Sequence, residues 1–135
     1  MINEIEFRRA VVAVAEANGG HVSHIESHLS SAGIPDLNIF MDGTDLWVEL
    51  KVIKKGQVKM RPTQRRWHND RHKTDGESWV AVLDPEKQDI LILRGHTAAA
   101  LPPDAKAWRA AGRAWNALAI GHLLQAITRR NGNGI

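Results

Sequence analysis

The side chains of Asp36, Glu49 and Lys51 have the types and spacing of a metal site beside a catalytic cation. Glu49 and Lys51 lie two residues apart in the apolar run 46–53, whose composition predicts a strand buried on both faces. Because side chains alternate across a strand, these two should share one face and the apolar residues the other. A buried carboxylate and ammonium are costly to desolvate without a charged partner, so the pair indicates a charged ligand.

Asp36 should be brought to the same place by a β-hairpin. It directly precedes a second apolar run, residues 37–41, and the connecting sequence 42–45 has the composition of a hairpin turn. Pairing the two runs through this turn places Asp36 close to Glu49. Two carboxylates supply the oxygen ligands that Mg²⁺ and Mn²⁺ prefer.

This combination suits hydrolysis of a phosphodiester bond. Such a reaction needs an attacking hydroxide and neutralised charge in the transition state, both of which a bound Mg²⁺ or Mn²⁺ supplies. Lys51 could orient the attacking water or stabilise the transition state. A pKa lowered by burial would also suit Lys51 to proton transfer, and the sequence leaves these roles open.

The order Pro35-Asp36, then Glu49-x-Lys51, resembles the signature of the PD-(D/E)xK nuclease superfamily. Gln64, after a basic loop, resembles the compact VRR-NUC and Holliday-junction-resolvase-like branches, which include small phage-type endonucleases. The match covers about residues 4–83. The resemblance implies a Mg²⁺-dependent deoxyribonuclease, an endonuclease selective for branched, flapped or junction DNA. It also implies that Asp36 and Glu49 bind the metal ion with the backbone carbonyl of Leu50.

Glu4 and Gln64 complete the catalytic set that the resemblance implies. Glu4 is on the stripe of the first helix that should face the core, but it could equally be a first-turn acid favoured by the helix dipole. Gln64 lies in the first turn of the second helix, where it could reach a metal-bound water or a phosphate. A polar residue near a helix start needs no functional reason, so its role stays open.

Half of all lysines and arginines follow the predicted metal strand directly. Residues 51–73, the basic segment, carry nine basic side chains against the single Asp70, whereas residues 1–50 carry two against eight acids. This density is expected of a surface that binds a phosphate backbone, although charged runs are more often only solvated. The predicted DNA-binding residues are Lys54, Lys55, Lys59, Arg61, Arg65 and Arg66. His68 and His72 have zinc-like spacing but should face nucleic acid or solvent.

Composition bounds the class of protein. The 135 residues suit one domain, and the absence of cysteine excludes disulfides and thiolate metal sites. Charges at residues 4, 6, 8 and 9 argue against a signal peptide, and no run is long enough to span a membrane. We expect a cytoplasmic protein, in the host cytoplasm if the chain is phage-encoded.

The predicted fold class is α/β, a compact mixed β-sheet flanked by helices, with a restriction-endonuclease-like αβββαβ core and an extra C-terminal helix. Helices are predicted at 3–18, 62–74 and 104–129, and strands at 21–26, 37–41, 46–53, 79–83 and, at the sheet edge, 89–93. The nuclease core would span residues 1–95, a helical extension of the same domain 96–130, and a disordered tail 131–135.

The C-terminal helix could pack on its own core or form a homodimer. Trp108 and Trp115 would lie on one stripe, and from Ala114 to Ile127 apolar residues would spread almost all round the helix, so it must be buried. Paired cuts across a junction need two sites related by a two-fold axis. The alternative to an endonuclease is a nucleic-acid-binding module with a vestigial site, although a decayed site should have lost Asp36, Glu49 or Lys51. A hydrolase of small phosphates would not need nine cations.

Overall fold

The structure is a computed structural model that describes residues 3–25 and 32–116, without the side chains of residues 115 and 116. Its elements are α1 (Glu4–Ala17), β1 (His21–His24), β2 (Leu37–Met41), β3 (Thr44–Val52), α2 (Pro62–Lys73), β4 (Trp79–Asp84), β5 (Asp89–Arg94), α3 (Gly95–Ala98), α4 (Ala105–Ala111) and β6 (Arg113–Asn116). The predicted α/β class is confirmed. Among the described residues, no helix has the length and apolar character needed to cross a bilayer.

One mixed sheet contains the described strands in the order β1-β2-β3-β4-β5-β6. Neighbouring strands are antiparallel except β3 and β4, which run parallel and are joined by a crossover containing α2. The β2–β3 hairpin turns at Asp42 and Gly43, whose φ angles of 52° and 74° are the positive values that a type I′ turn requires. The predicted hairpin is confirmed.

Hydrophobic cores lie on both faces of the sheet. On one face, Phe7, Val11 and Ala15 of α1 pack against the apolar even-numbered residues of β3. On the other face, residues of β4 and β5 pack with Trp108 of α4. Because β3 alternates, its odd-numbered residues point away from α1, towards the side on which α2 lies.

Helix α4 is fixed to the sheet by Arg109. Its guanidinium donates hydrogen bonds to Asp84 Oδ2 at 2.6 Å and to the two carboxylate oxygens of Asp89 at 2.9 and 3.0 Å. Burial alone would raise the pKa of Asp84, but hydrogen bonds from Arg109 and two backbone amides hold that pKa below its usual value. Helix α4 is therefore packed against the β4–β5 end of the sheet.

The long C-terminal helix predicted for residues 104–129 is confirmed at Ala105–Ala111 and wrong at Arg113–Asn116, which form a strand. Helix α4 ends at Ala111, Gly112 is extended, and β6 pairs with β5. Glycine weakens a helix, and the unpaired edge of β5 offers backbone partners that apolar periodicity does not reveal. The prediction that β5 is an edge strand is also wrong, because β6 pairs with β5 and forms the edge of the described sheet. Residues 117–135 lie outside the described residues, so the dimer, the tail and the division at residue 95 stay predictions.

Candidate active site

The β2–β3 register places the two acidic residues opposite each other. Leu37 pairs with Val48, so the same register continued by one residue sets Asp36 opposite Glu49. Asp36 Oδ2 accepts a hydrogen bond from the Leu50 N–H at 2.9 Å, and Oδ1 accepts one from Arg8 at 3.3 Å. Both oxygens of Asp36 are thereby oriented.

Arg8 is a site residue that the sequence analysis missed. It lies on α1 one turn after Glu4, and its contact with Asp36 spans 28 positions along the chain. The spacing of one helical turn from Glu4 was the only signal in the sequence. It did not identify Arg8, because tertiary packing decides which face of α1 meets the start of β2.

Glu49 is a buried carboxylate with an unsatisfied oxygen. The residue is 1% exposed, and its Oε1 has no hydrogen-bond partner among the described residues. Burial, and next a hydrogen bond to Asp36 and the charge of that carboxylate, raise the pKa of Glu49 well above its usual value; Lys51 and Arg61 oppose this. A cation placed here would relieve the cost of burying the ionised form.

Lys51 is held by Gln64. Its ammonium donates a hydrogen bond to Gln64 Oε1 at 2.9 Å, and the same oxygen accepts the Arg61 N–H at 2.8 Å. Burial lowers the pKa of Lys51 despite the opposing charges of Glu49 and Asp36. The structure therefore brings Asp36, Glu49, Lys51 and Gln64 into one place, between β3 and the first turn of α2.

Glu4 lies at the margin of this site. Its side chain is 56% exposed, so the expectation that it faces the core is wrong, and its Oε2 is 3.4 Å from Lys54 Nζ. Glu4 is the first residue of α1, so no preceding helical turn shields its side chain from solvent. Glu4 and Lys51 nevertheless border one cavity of about 450 Å³, whose lining also includes Lys54, Lys55 and Lys59.

His68 is buried, so the expectation that it faces nucleic acid or solvent is wrong. It is 0% exposed, and its Nδ1 lies 2.7 Å from Ser78 Oγ. Helix α2 has few apolar residues, so its inward face is made of the polar residues Gln64 and His68. A Cβ at Gly95 would overlap both His68 and Ser78, so α3 can approach α2 only with glycine at this position.

The predicted DNA-binding residues fall into two groups. Lys54, Lys55, Lys59, Arg61 and Arg66 are exposed, and the first two lie in a tight hairpin closed by hydrogen bonds between the backbones of Lys54 and Gln57. Arg65 forms the second group, because it is half-buried rather than exposed. Its Nη1 donates hydrogen bonds to the backbone carbonyls of Ala99 and Leu101, both at 2.8 Å. Part of the Arg65 guanidinium is thus used to hold the fold.

The site has two carboxylates that could bind a metal ion. In residues 3–25 and 32–116, no three His, Cys, Asp or Glu side chains cluster as metal ligands. A metal ion here would need further oxygen ligands from the backbone, water or substrate, which is the coordination typical of Mg²⁺.

No protein-family model matches the sequence, and no curated protein matches it at a significant level. Solved structures do match. Hjc, a Holliday junction resolvase from the archaeal hyperthermophile Archaeoglobus fulgidus, is 15% identical with a TM-score of 0.57, over 87% of this chain and 96% of that one. The bacterial homing endonuclease I-Ssp6803I is 14% identical with a TM-score of 0.51, over 100% of both chains. The chain therefore has a nuclease-type α/β fold.

Proposed function

We propose that this chain is a metal-dependent endonuclease that hydrolyses DNA phosphodiester bonds. The buried Glu49 carboxylate carries the proposal: one of its oxygens has no partner, Asp36 stands opposite, and Lys51 adjoins on the same strand face. Such a group is costly to bury for packing alone. A binding site for a cation and a phosphate accounts for it.

The donor set fits Mg²⁺ or Mn²⁺. Asp36, Glu49 and the Leu50 carbonyl would hold the ion, which when bound offsets phosphate charge and lowers the pKa of its water. The Leu50 N–H donates to Asp36, and both polar backbone groups of a strand residue face the same neighbouring strand. The Leu50 carbonyl therefore faces the space beyond the first residue of β2, on the side of Asp36.

Lys51 would act on the phosphate itself. In hydrolysis a water oxygen bonds to phosphorus and releases a proton to solvent, the bridging P–O bond breaks, and the departing oxygen takes up a proton. Gln64 fixes the Lys51 ammonium where it can stabilise the added negative charge of the transition state. Because burial lowers the pKa of Lys51, this group can also donate the proton to the departing oxygen.

The exposed cations favour DNA over a small phosphate ester as substrate. Lys54, Lys55 and Lys59 border the same cavity as Lys51, so phosphates next to the scissile bond would meet positive charge. Likeness to a Holliday junction resolvase supports selectivity for branched, flapped or junction DNA. An inactive DNA-binding module would have no need to keep Lys51 bonded to Gln64 beside two carboxylates.

A nuclease assay tests the proposal. Purified protein is incubated with Mg²⁺, Mn²⁺ or EDTA and labelled linear, flapped or four-way DNA. We expect cleavage only with metal ion, and its loss in Asp36→Asn and Glu49→Gln. The matched control is Asp45→Asn, which removes an exposed carboxylate from the same strand and should cleave like the wild type.

Two results would contradict the proposal. Full activity of Glu49→Gln, or undiminished cleavage in EDTA, would exclude the assigned metal site. Binding of DNA without cleavage under every metal condition would instead identify the alternative, a nucleic-acid-binding module with a vestigial site.

A further inference from the structure

Trp47, Trp67 and Arg71 form a cluster next to the proposed active site. Trp47 lies two residues before Glu49 on the same face of β3, and Trp67 and Arg71 follow Gln64 by about one and two turns of α2. Two strand residues span about 6.6 Å, and DNA rises about 3.4 Å per nucleotide. The cluster is thus one or two nucleotides away from a phosphate held at Glu49.

The three side chains are arranged for stacking. The two indole centroids are 5.6 Å apart with planes inclined at 52°, and the Arg71 guanidinium carbon lies 6.0 and 5.9 Å from the Trp47 and Trp67 rings. All three residues are half-buried, so each keeps part of its surface in solvent. Flat π surfaces beside a fixed positive charge match a nucleotide, which combines a flat base with a phosphate.

Core packing does not explain the cluster. Neither Trp47 nor Trp67 belongs to the two hydrophobic cores described above. Trp47 Nε1 and Arg71 Nε are buried without a hydrogen-bond partner among the described residues, and such atoms cost stability. A Cβ at Gly76 would lie 2.6 Å from Arg71 Nε. Glycine at position 76 is therefore what allows Arg71 to lie against the rings.

An exposed aromatic residue extends this surface across β2. Phe40 is 51% exposed and pairs with Asp45, and Asn38, the next residue on that face of β2, pairs with Trp47. Because directly opposed strand residues share a face, Phe40 and Trp47 are diagonal neighbours at about 7–8 Å. Aromatic surface therefore runs from Phe40 past Trp47 to Trp67, alongside Glu49.

We propose that this surface, made of Phe40, Trp47, Trp67 and Arg71, binds an unpaired nucleotide beside the scissile phosphate by stacking on its base. In a continuous duplex the bases stack on one another, whereas a flap, bulge or single strand exposes a base face. The inference rests on the proposed nuclease function and names its substrate class, DNA with an unpaired nucleotide at the cleavage point. Since every base has a π face, the site selects structure rather than sequence.

Binding in EDTA tests this without requiring cleavage. The probes are two duplexes, one continuous and one with a single-nucleotide bulge, each carrying 2-aminopurine at the same position. One base–aromatic stack typically strengthens binding by about tenfold or more. The bulged duplex should therefore bind roughly tenfold more tightly than the continuous one, and its 2-aminopurine fluorescence should be quenched. Trp67→Leu removes the ring but keeps an apolar side chain. It should reduce the preference, the ratio of the affinities for the bulged and the continuous duplex, to about one. Trp67→Phe should retain most of it.

Two further variants keep the test independent of folding defects. Gly76→Ala should displace Arg71 without altering either ring, and it too should lower the preference; circular dichroism checks that each variant is folded. Arg66→Ala removes an exposed arginine of the same helix and should weaken binding of both duplexes equally.

The outcomes separate this inference from the nuclease proposal. Equal affinity of the wild type for both duplexes, or an unchanged preference in Trp67→Leu and Gly76→Ala, overturns the stacking site while metal-dependent cleavage can still be observed. Absence of binding to any DNA overturns the proposed function, and the stacking site with it.

Discussion

Acid should destabilise the folded protein through His68, the buried histidine of α2. Burial, and next the charge of Lys51, lower the pKa of His68 from 6.5 to about 4. The unfolded chain therefore binds a proton near pH 6.5, whereas the folded chain binds it only near pH 4. Stability contributed by neutral His68 is complete above this window and is lost as the pH falls through it.

The size of the effect follows from the two pKa values. A folded-state pKa lower by about 2.5 corresponds to a loss of about 3 kcal/mol in the free energy of unfolding. The whole free energy of unfolding of a small domain is about 5–15 kcal/mol, so the loss from His68 is a large part of it. It should lower the unfolding temperature by roughly 10 °C between neutral pH and pH 4.

Urea unfolding at several pH values across this window measures the effect. The comparison is between wild type and His68→Gln, which keeps a hydrogen-bonding group beside Ser78 but has no proton to gain. The difference between their pH dependences isolates His68 from other titrating groups, such as Glu49, whose pKa burial raises, and His96 of α3, whose pKa burial lowers. His21→Gln is the control, because His21 is exposed on β1 and its loss should leave the acid effect intact. Identical pH dependence in wild type and His68→Gln would refute the argument.

Four further predictions concern the site and the basic segment. Mg²⁺ at 100 times its Kd should stabilise the wild type by about 2.7 kcal/mol in thermal unfolding and Glu49→Gln far less, because the variant lacks a ligand. Gln64→Ala should lower kcat about 10- to 100-fold with unchanged DNA affinity, since the Gln64 side chain orients Lys51 and otherwise bonds only to the Arg61 N–H. Replacing Lys54 and Lys59 with Ala should reduce the salt slope of duplex binding by roughly two units. In contrast, Arg65→Ala should lower the free energy of unfolding by about 1–3 kcal/mol, because two carbonyls lose their donor.

The centre of the site could be predicted because it depends on local rules. Side-chain alternation set Glu49 and Lys51 on one face, and the Asp42-Gly43 turn set the register that brings Asp36 opposite Glu49. These relations involve residues close in sequence, where strand and turn geometry leave few choices.

The remaining features depend on packing between distant parts of the chain. The contact of Arg8 with Asp36 and the burial of His68 follow from how α1 and α2 pack on the sheet. The error at the C-terminus has a similar origin: residues 113–116 are apolar and polar in an order compatible with a helix, but β5 offers them a strand partner. Which alternative wins is decided by the sheet edge, not by the segment itself.

The connections of β3 imply an order in which the site assembles during folding. The β2–β3 hairpin closes through two residues, and hairpins form in about 1–10 μs. The parallel pairing of β3 with β4 must close the crossover of residues 53–78, which costs more loop entropy and is slower. Gln64 lies in that crossover, so the Asp36–Glu49 pair can form before Lys51 is held in place. A chain caught between these steps would have facing carboxylates able to bind an ion, but no positioned lysine to act on the phosphate.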